Sequence, residues 1–156
     1  MMKDVFFPSN KGLELAGVLH TPASPASVGV LILHGLRASK DQLWMKELGE
    51  KLSHEGFVAL RFDFLGNGES EGKFDQSTYD QAVKDVEAAI SFLKKSHDVE
   101  SVFALGHSYG GGVALVSGLQ LPLSGVIGLA PVTNPAGISN RIVKRLGKDV
   151  FVGTAE

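Results

Sequence analysis

The apolar positions of this chain switch repeatedly between strand-like and helix-like spacing. Val28-Gly29-Val30-Leu31-Ile32-Leu33, Phe57-Val58-Ala59-Leu60-Arg61-Phe62 and Ser101-Val102-Phe103-Ala104-Leu105 are short apolar runs. The first fits a central parallel strand buried on both faces, the second is the next strand, and the third reads as a buried strand. Between the first two, Trp44, Met45, Leu48 and Leu52 recur at helical spacing. Ser39-Lys40-Asp41-Gln42 resembles a capping box opening that helix, and Gly56 ends it. A second amphipathic stripe, Tyr79, Val83, Val86, Ile90 and Leu93, stands behind a Thr78/Gln81 box. A helix rich in small residues follows the third run. Val126-Ile127-Gly128-Leu129-Ala130 is one more strand, stopped by Pro131. Upstream, Asp4–Phe7 and Leu13–His20 read as strands joined by the hairpin chemistry of Asn10-Lys11-Gly12. The pattern predicts an α/β fold, a mostly parallel sheet preceded by an N-terminal antiparallel hairpin. Residues 138–146 are a candidate basic amphipathic helix, and the tail from Lys148 to Glu156 carries no assignable pattern.

Between the third run and the small-residue helix lies Gly106-His107-Ser108-Tyr109-Gly110. A strand, then G-x-S-x-G, then a helix is the context of a nucleophile elbow. The spacing has a steric cause. A serine on a sharp strand-to-helix turn takes a strained backbone, and the residues two before and two after it must lack side chains. Ser108 would project its hydroxyl above the sheet edge, where a helix N-terminus favours a developing negative charge. His34, Asp63 and Ser108 all follow the carboxyl ends of predicted parallel strands, where ligands of such sheets bind.

Composition narrows the picture without redirecting it. The 156 residues suit one domain spanning the whole chain, 1–156, with enough surface to bury a core. A net charge of −2 gives no basic footprint for nucleic acid or an anionic membrane, so neither is expected as a partner. The apolar runs are strand-sized, far short of a membrane span. There is no cysteine, hence no disulfide and no thiolate nucleophile. Met1-Met2-Lys3-Asp4 leads into a strand-like segment rather than an apolar signal core, and a cytoplasmic location is the expectation.

On these motifs the chain resembles the N-terminal portion of a serine α/β-hydrolase. Leu33-His34-Gly35 resembles the family's strand-end H-G, Asp63-Phe64-Leu65-Gly66-Asn67-Gly68-Glu69-Ser70 its D-x-x-G-x-G-x-S loop, and Gly106–Gly111 its elbow. Gly12-Leu13-Glu14-Leu15 with Arg61-Phe62-Asp63-Phe64 is most similar to small bacterial esterases of the cinnamoyl/feruloyl type and to serine-aminopeptidase-like hydrolases. The resemblance implies the α/β-hydrolase fold without its C-terminal strands, residues 131–156 being a candidate start of a lid or cap. It implies Ser108 as nucleophile, with the backbone N–H groups of Leu36 and Tyr109 as the oxyanion hole. The substrate would be a small-molecule ester, with no cofactor and no metal. An aminopeptidase or amidase on the same site is the alternative, and a non-catalytic remnant with a binding role is a further one.

The chain departs from the family at its base. The triad order is Ser, then Asp or Glu, then His, yet the five histidines, at 20, 34, 54, 97 and 107, all precede Ser108. The carboxylates after Ser108 are Asp149 and Glu156. His34 is expected to tie loops together rather than act as base, His107 to point away from the site, and His20, His54 and His97 to be solvated. Asp63, Glu69, Glu71 and Asp75 are expected to form a solvated loop, with Asp63 capping its own turn. Lys144 and Arg145 are expected to be solvated helix charges, and Trp44 and Tyr79 to be core. With no further strand beside it, Val126–Ala130 would be an apolar edge without a gatekeeper charge, and self-association through it is expected.

Overall fold

The computed structural model describes residues 1–134; the candidate basic helix, the lid segment beyond 134, Lys144, Arg145, Asp149 and Glu156 lie outside them. Six strands form one sheet: β1 (Met2–Pro8), β2 (Glu14–His20), β3 (Val28–Leu33), β4 (Val58–Phe62), β5 (Ser101–His107) and β6 (Gly125–Leu129). Three helices accompany them among the described residues: α1 (Leu43–His54), α2 (Tyr79–Ser96) and α3 (Tyr109–Gln120). The strand order is β1-β2-β4-β3-β5-β6. β1 and β2 form the antiparallel hairpin and β2 pairs antiparallel with β4; β4, β3, β5 and β6 run parallel.

The unbroken apolar runs have their cause in helices on both faces. Leu31, Leu33, Leu60, Phe62, Val102 and Ala104 pack beneath α2 and α3, whose Val86, Ala89, Ile90, Leu93 and Val113 complete the main core. The alternate residues Ile32 and Ala59 turn to the other face and meet Met45 of α1, flanked by Trp44, Leu48 and Leu52. Both amphipathic stripes thus face the sheet as their spacing predicts.

The two capping boxes fare differently. Thr78 accepts the N–H of Gln81 at 3.2 Å, but the Gln81 amide does not return; it donates to Asn10 and Asp85. The Ser39–Gln42 box does not form. The helix begins at Leu43 behind Gln42, without a side-chain cap. Ser39 accepts instead from Asp41 N–H, and the Asp41 carboxylate is taken by Lys40, Lys46 and Arg61.

His20 is also not where the sequence put it. It is 1% exposed beneath α1, and its Nε2 accepts from Arg61 Nε at 3.1 Å. Burial, with the Arg61 charge next, lowers its pKa to about 4, with Glu50 opposing and the chain's amino terminus assisting. Between the unfolded value near 6.5 and about 4, the unfolded chain takes up a proton that the folded chain refuses. Stability is therefore expected to fall as pH drops through that window, by up to about 3 kcal/mol for this group. Urea unfolding at pH 7 and pH 4 would show it, with His20→Gln losing less than the wild type; equal losses would dismiss His20 as the cause.

Candidate active site

Ser108 joins β5 to α3 with φ 55° and ψ −115°, outside the ordinary helical and extended regions. Such a residue persists only where its surroundings leave no alternative. Here the surroundings are backbone. A Cβ at Gly106 would overlap the Gly110 carbonyl, and one at Gly110 would stand 2.5 Å from the carbonyls of Leu33 and His34. The Ser108 carbonyl accepts from Gly112 N–H at 3.1 Å and Val132 N–H at 3.0 Å, and its own N–H donates to Leu129 at 2.9 Å. The turn is fixed on every side, with α3 running away from it.

The loop after β3 runs alongside. A Cβ at Gly35 would be in ordinary contact with Ser108 Cβ, 3.7 Å away. Ala38 N–H donates to the Gly35 carbonyl at 3.2 Å, closing a turn over Leu36 and Arg37. Neither the Leu36 N–H nor the Tyr109 N–H has an acceptor among the described residues. Leu36 is 40% exposed and belongs to the site's surface. The Tyr109 ring does not. It is 8% exposed, edge-on to Phe64 and Tyr79 with centroids 5.9 and 4.7 Å away, and shapes the core instead of the pocket. Burial, then the nearby Tyr79 and Asp85, pushes its phenol up, with Ser77 opposing.

His34 is spoken for at both nitrogens. Its Nδ1 lies 2.8 Å from the Gly35 carbonyl, and its Nε2 accepts from Phe64 N–H at 3.2 Å. That pairing sets the neutral tautomer with the proton on Nδ1. Burial first of all lowers its pKa, against the raising influence of Gly35 and Asp63. A ring with no free acceptor nitrogen cannot take a proton from Ser108. It ties the β3 loop to the β4 loop. His107 is exposed and edge-on to Trp44, which α1 carries half-buried against the cluster of Ile32, Met45 and Ala59. His54 is exposed; His97 is half-buried, its ring 5.7 Å from Phe92, and burial lowers its pKa.

Of the carboxylates after β4, Glu69, Glu71 and Asp75 are exposed as the sequence suggests, and Asp63 is the exception. Asp63 is fully buried. It does cap its own turn through Glu69 N–H at 3.0 Å, but it also accepts Lys40 N–H at 2.6 Å and the Lys40 ammonium at 3.1 Å. Lys40 is 3% exposed and pairs with Glu69 and Asp41 as well. Burial works to lower its pKa, and these carboxylates outweigh it and raise it. Arg61 links the set to His20, donating to the Lys40 carbonyl at 2.8 Å and Asp41 at 2.9 Å. A chain of charges thus clamps residues 34–41, the Leu36 turn included, onto β4. Nothing local in the sequence marks Lys40 as buried; Arg61, a lone charge inside an apolar run, is the signal that a buried partner has to exist. A groove of about 450 Å³ between Phe7–Asn10 and the Lys84–Ser96 face of α2 shares no residue with this site.

Comparison with known proteins places the site in context. Residues 24–151 match the family model described as serine aminopeptidase, S33. A monoglyceride lipase of Rattus norvegicus is 30% identical over 98 residues, covering 60% of this chain and 32% of the lipase. The quorum-quenching protein AidA of Acinetobacter baumannii is 27% identical over 136 residues, covering 84% of this chain and 44% of that protein. Among solved structures, Est1E of Butyrivibrio proteoclasticus with bound ferulic acid superposes with a TM-score of 0.79 at 23% identity, over 88% of this chain and 56% of its own. The Pyrococcus furiosus esterase Pf2001 gives 0.80 at 23%, over 96% and 58%. These structures establish the α/β-hydrolase fold. The chain spans a third to under half the length of those curated relatives.

Proposed function

Since the chain belongs to the serine aminopeptidase (S33) family over residues 24–151, we propose that it carries the nucleophile of a serine hydrolase acting on small carboxylic esters. The observation behind this reading is Ser108, held at φ 55° beside two N–H groups without acceptors. Its Oγ would attack the ester carbonyl as a base removes its proton, the alcohol would leave, and water would hydrolyse the acyl-Ser108. The Leu36 and Tyr109 N–H groups would hold the oxyanion, each such donor being typically worth about 10²–10³ in rate. The base would come from outside these 156 residues, since no histidine follows Ser108. Neither the acylation nor the hydrolysis draws on a metal or redox group.

Ester is favoured over amide because the relatives include a monoglyceride lipase and the esterase Pf2001. The aminopeptidase or amidase alternative rests on the family description. A non-catalytic binding role is the reading to adopt if Ser108 proves inert in the following test. Imidazole added as an external base is expected to switch on p-nitrophenyl acetate hydrolysis above the rate of imidazole alone, and Ser108→Ala to abolish the gain. An equal rate in the two proteins would sink the nucleophile assignment.

Self-association is part of the same reading. β6 pairs with β5 on one side, its five residues carry no charge, and Ile127 and Leu129 are 51% and 43% exposed. Two copies pairing β6 to β6 would satisfy that edge. The retention volume in size exclusion is expected to decrease as concentration rises; a concentration-independent monomer would count against it. No helix among the described residues is long and apolar enough to cross a membrane, and a cytoplasmic location belongs to this proposal.

A further inference from the structure

Arg37 stands one residue beyond Leu36, in the turn that passes Ser108. Its φ is 56°, the left-handed region that a residue with a Cβ rarely adopts. An outlier of this kind beside a reactive group is a reason to look for a role. Two contacts define its setting. The guanidinium lies over the Phe74 ring, 5.5 Å from the centroid, so the side chain bridges the β3 loop to the turn at Phe74–Gln76. Of the nearby carboxylates, Asp63 and Glu69 are committed to Lys40, and Asp41 to Lys40, Lys46 and Arg61, while the exposed Asp75 beside Phe74 makes no ion pair with Arg37. Among the described residues Arg37 has no ion pair. A guanidinium held over an aromatic face by a cation–π contact spends none of its N–H donors on it, leaving the fork that fits a carboxylate.

We infer that Arg37 makes the site selective for esters that carry a carboxylate, such as half-esters of short dicarboxylic acids. The inference rests on the ester-hydrolase reading of Ser108. In it, the exposed faces of Leu36 and Phe74 border the methylene spacer. The ester carbonyl lies at the Leu36 and Tyr109 N–H groups, and the distal carboxylate meets Arg37. Asp63, Glu69 and Asp41 do not compete, because Lys40 and Arg61 hold them.

The test is an amide-resolved NMR titration of the 156-residue chain with monomethyl adipate and with dimethyl adipate at low salt. Both esters are expected to shift the Leu36 and Tyr109 amides, with the half-ester binding about fivefold tighter, the scale of one partly exposed charge contact. That preference is expected to vanish in Arg37→Gln and in Arg37→Gly, the latter accepting a φ of 56° without strain. Equal affinities in the wild type overturn the inference and leave the ester site standing. So does a preference that survives both substitutions, or a half-ester that shifts Arg37 without Leu36 and Tyr109. No shift of any of the three amides with either ester removes the inference together with the reading of Ser108 beneath it.

Discussion

Incubated with a fluorophosphonate probe in the absence of added base, the 156-residue chain is expected to gain no mass. A serine hydroxyl is a weak nucleophile at neutral pH unless a neighbour takes its proton. Every histidine of the chain precedes Ser108, and none among the described residues hydrogen-bonds its hydroxyl. His34 lies on the correct edge of the sheet, but Phe64 N–H occupies its acceptor nitrogen and burial discourages protonation. His20 is paired with Arg61 beneath α1. In a serine protease where the histidine was removed, kcat fell by about 10⁶ and a residual of roughly 10³–10⁴ over water survived from the oxyanion hole and binding. By that scale an activated aryl ester should turn over only marginally above background. Intact-mass analysis after probe treatment reads the result, with Ser108→Ala as control. Rapid gain of one probe mass by the wild type alone would show that a base reaches Ser108 after all, from a second copy of the chain or from His34 freed of Phe64.

The elbow and the parallel strands were legible because their causes are local. A run apolar at every position, such as Val28–Leu33, has to be covered on both faces, and glycines two residues either side of a serine answer to a clash within five residues. The charge clamp was illegible for the opposite reason. Lys40 and Asp63 are 23 residues apart, and nothing in the local pattern of Ser39-Lys40-Asp41-Gln42 says that its side chains are spent on β4 rather than on a helix cap. Arg61 was the one local hint, a cation where the neighbouring positions are buried. His20 is buried with it as one acceptor, while Asp41, the other side-chain acceptor, stays partly exposed, so the hint did not by itself point to His20. The order of the strands, with β3 between β4 and β5, is likewise set by non-local pairing that the apolar pattern allows without naming.

That clamp yields the largest expected change in stability. Asp63→Ala removes the acceptor of three donors at once, the Lys40 N–H, the Lys40 ammonium and the Glu69 N–H. The ammonium keeps Asp41 and Glu69, but both are partly exposed, whereas Asp63 is fully buried. Breaking a buried pair by removing one partner costs about 3–5 kcal/mol, because the remaining charge and donors stay out of water. With two carboxylates left to Lys40, the lower end is expected, about 3 kcal/mol, a large share of a domain's roughly 5–15 kcal/mol. The double substitution Asp63→Leu with Lys40→Met should recover part of that loss. Apolar side chains of similar volume often replace a buried pair at little cost. Recovery would be incomplete, because Gly68 leaves room for a carboxylate and not for more; a Cβ there would already overlap the Asp63 side chain. The Lys40 and Glu69 N–H groups would also stay unpaired. Urea unfolding of the wild type, Asp63→Ala and the double variant separates these contributions. A loss under about 1 kcal/mol in Asp63→Ala, the size of an exposed pair, would mean that the clamp is held by the backbone and that the charges merely line it.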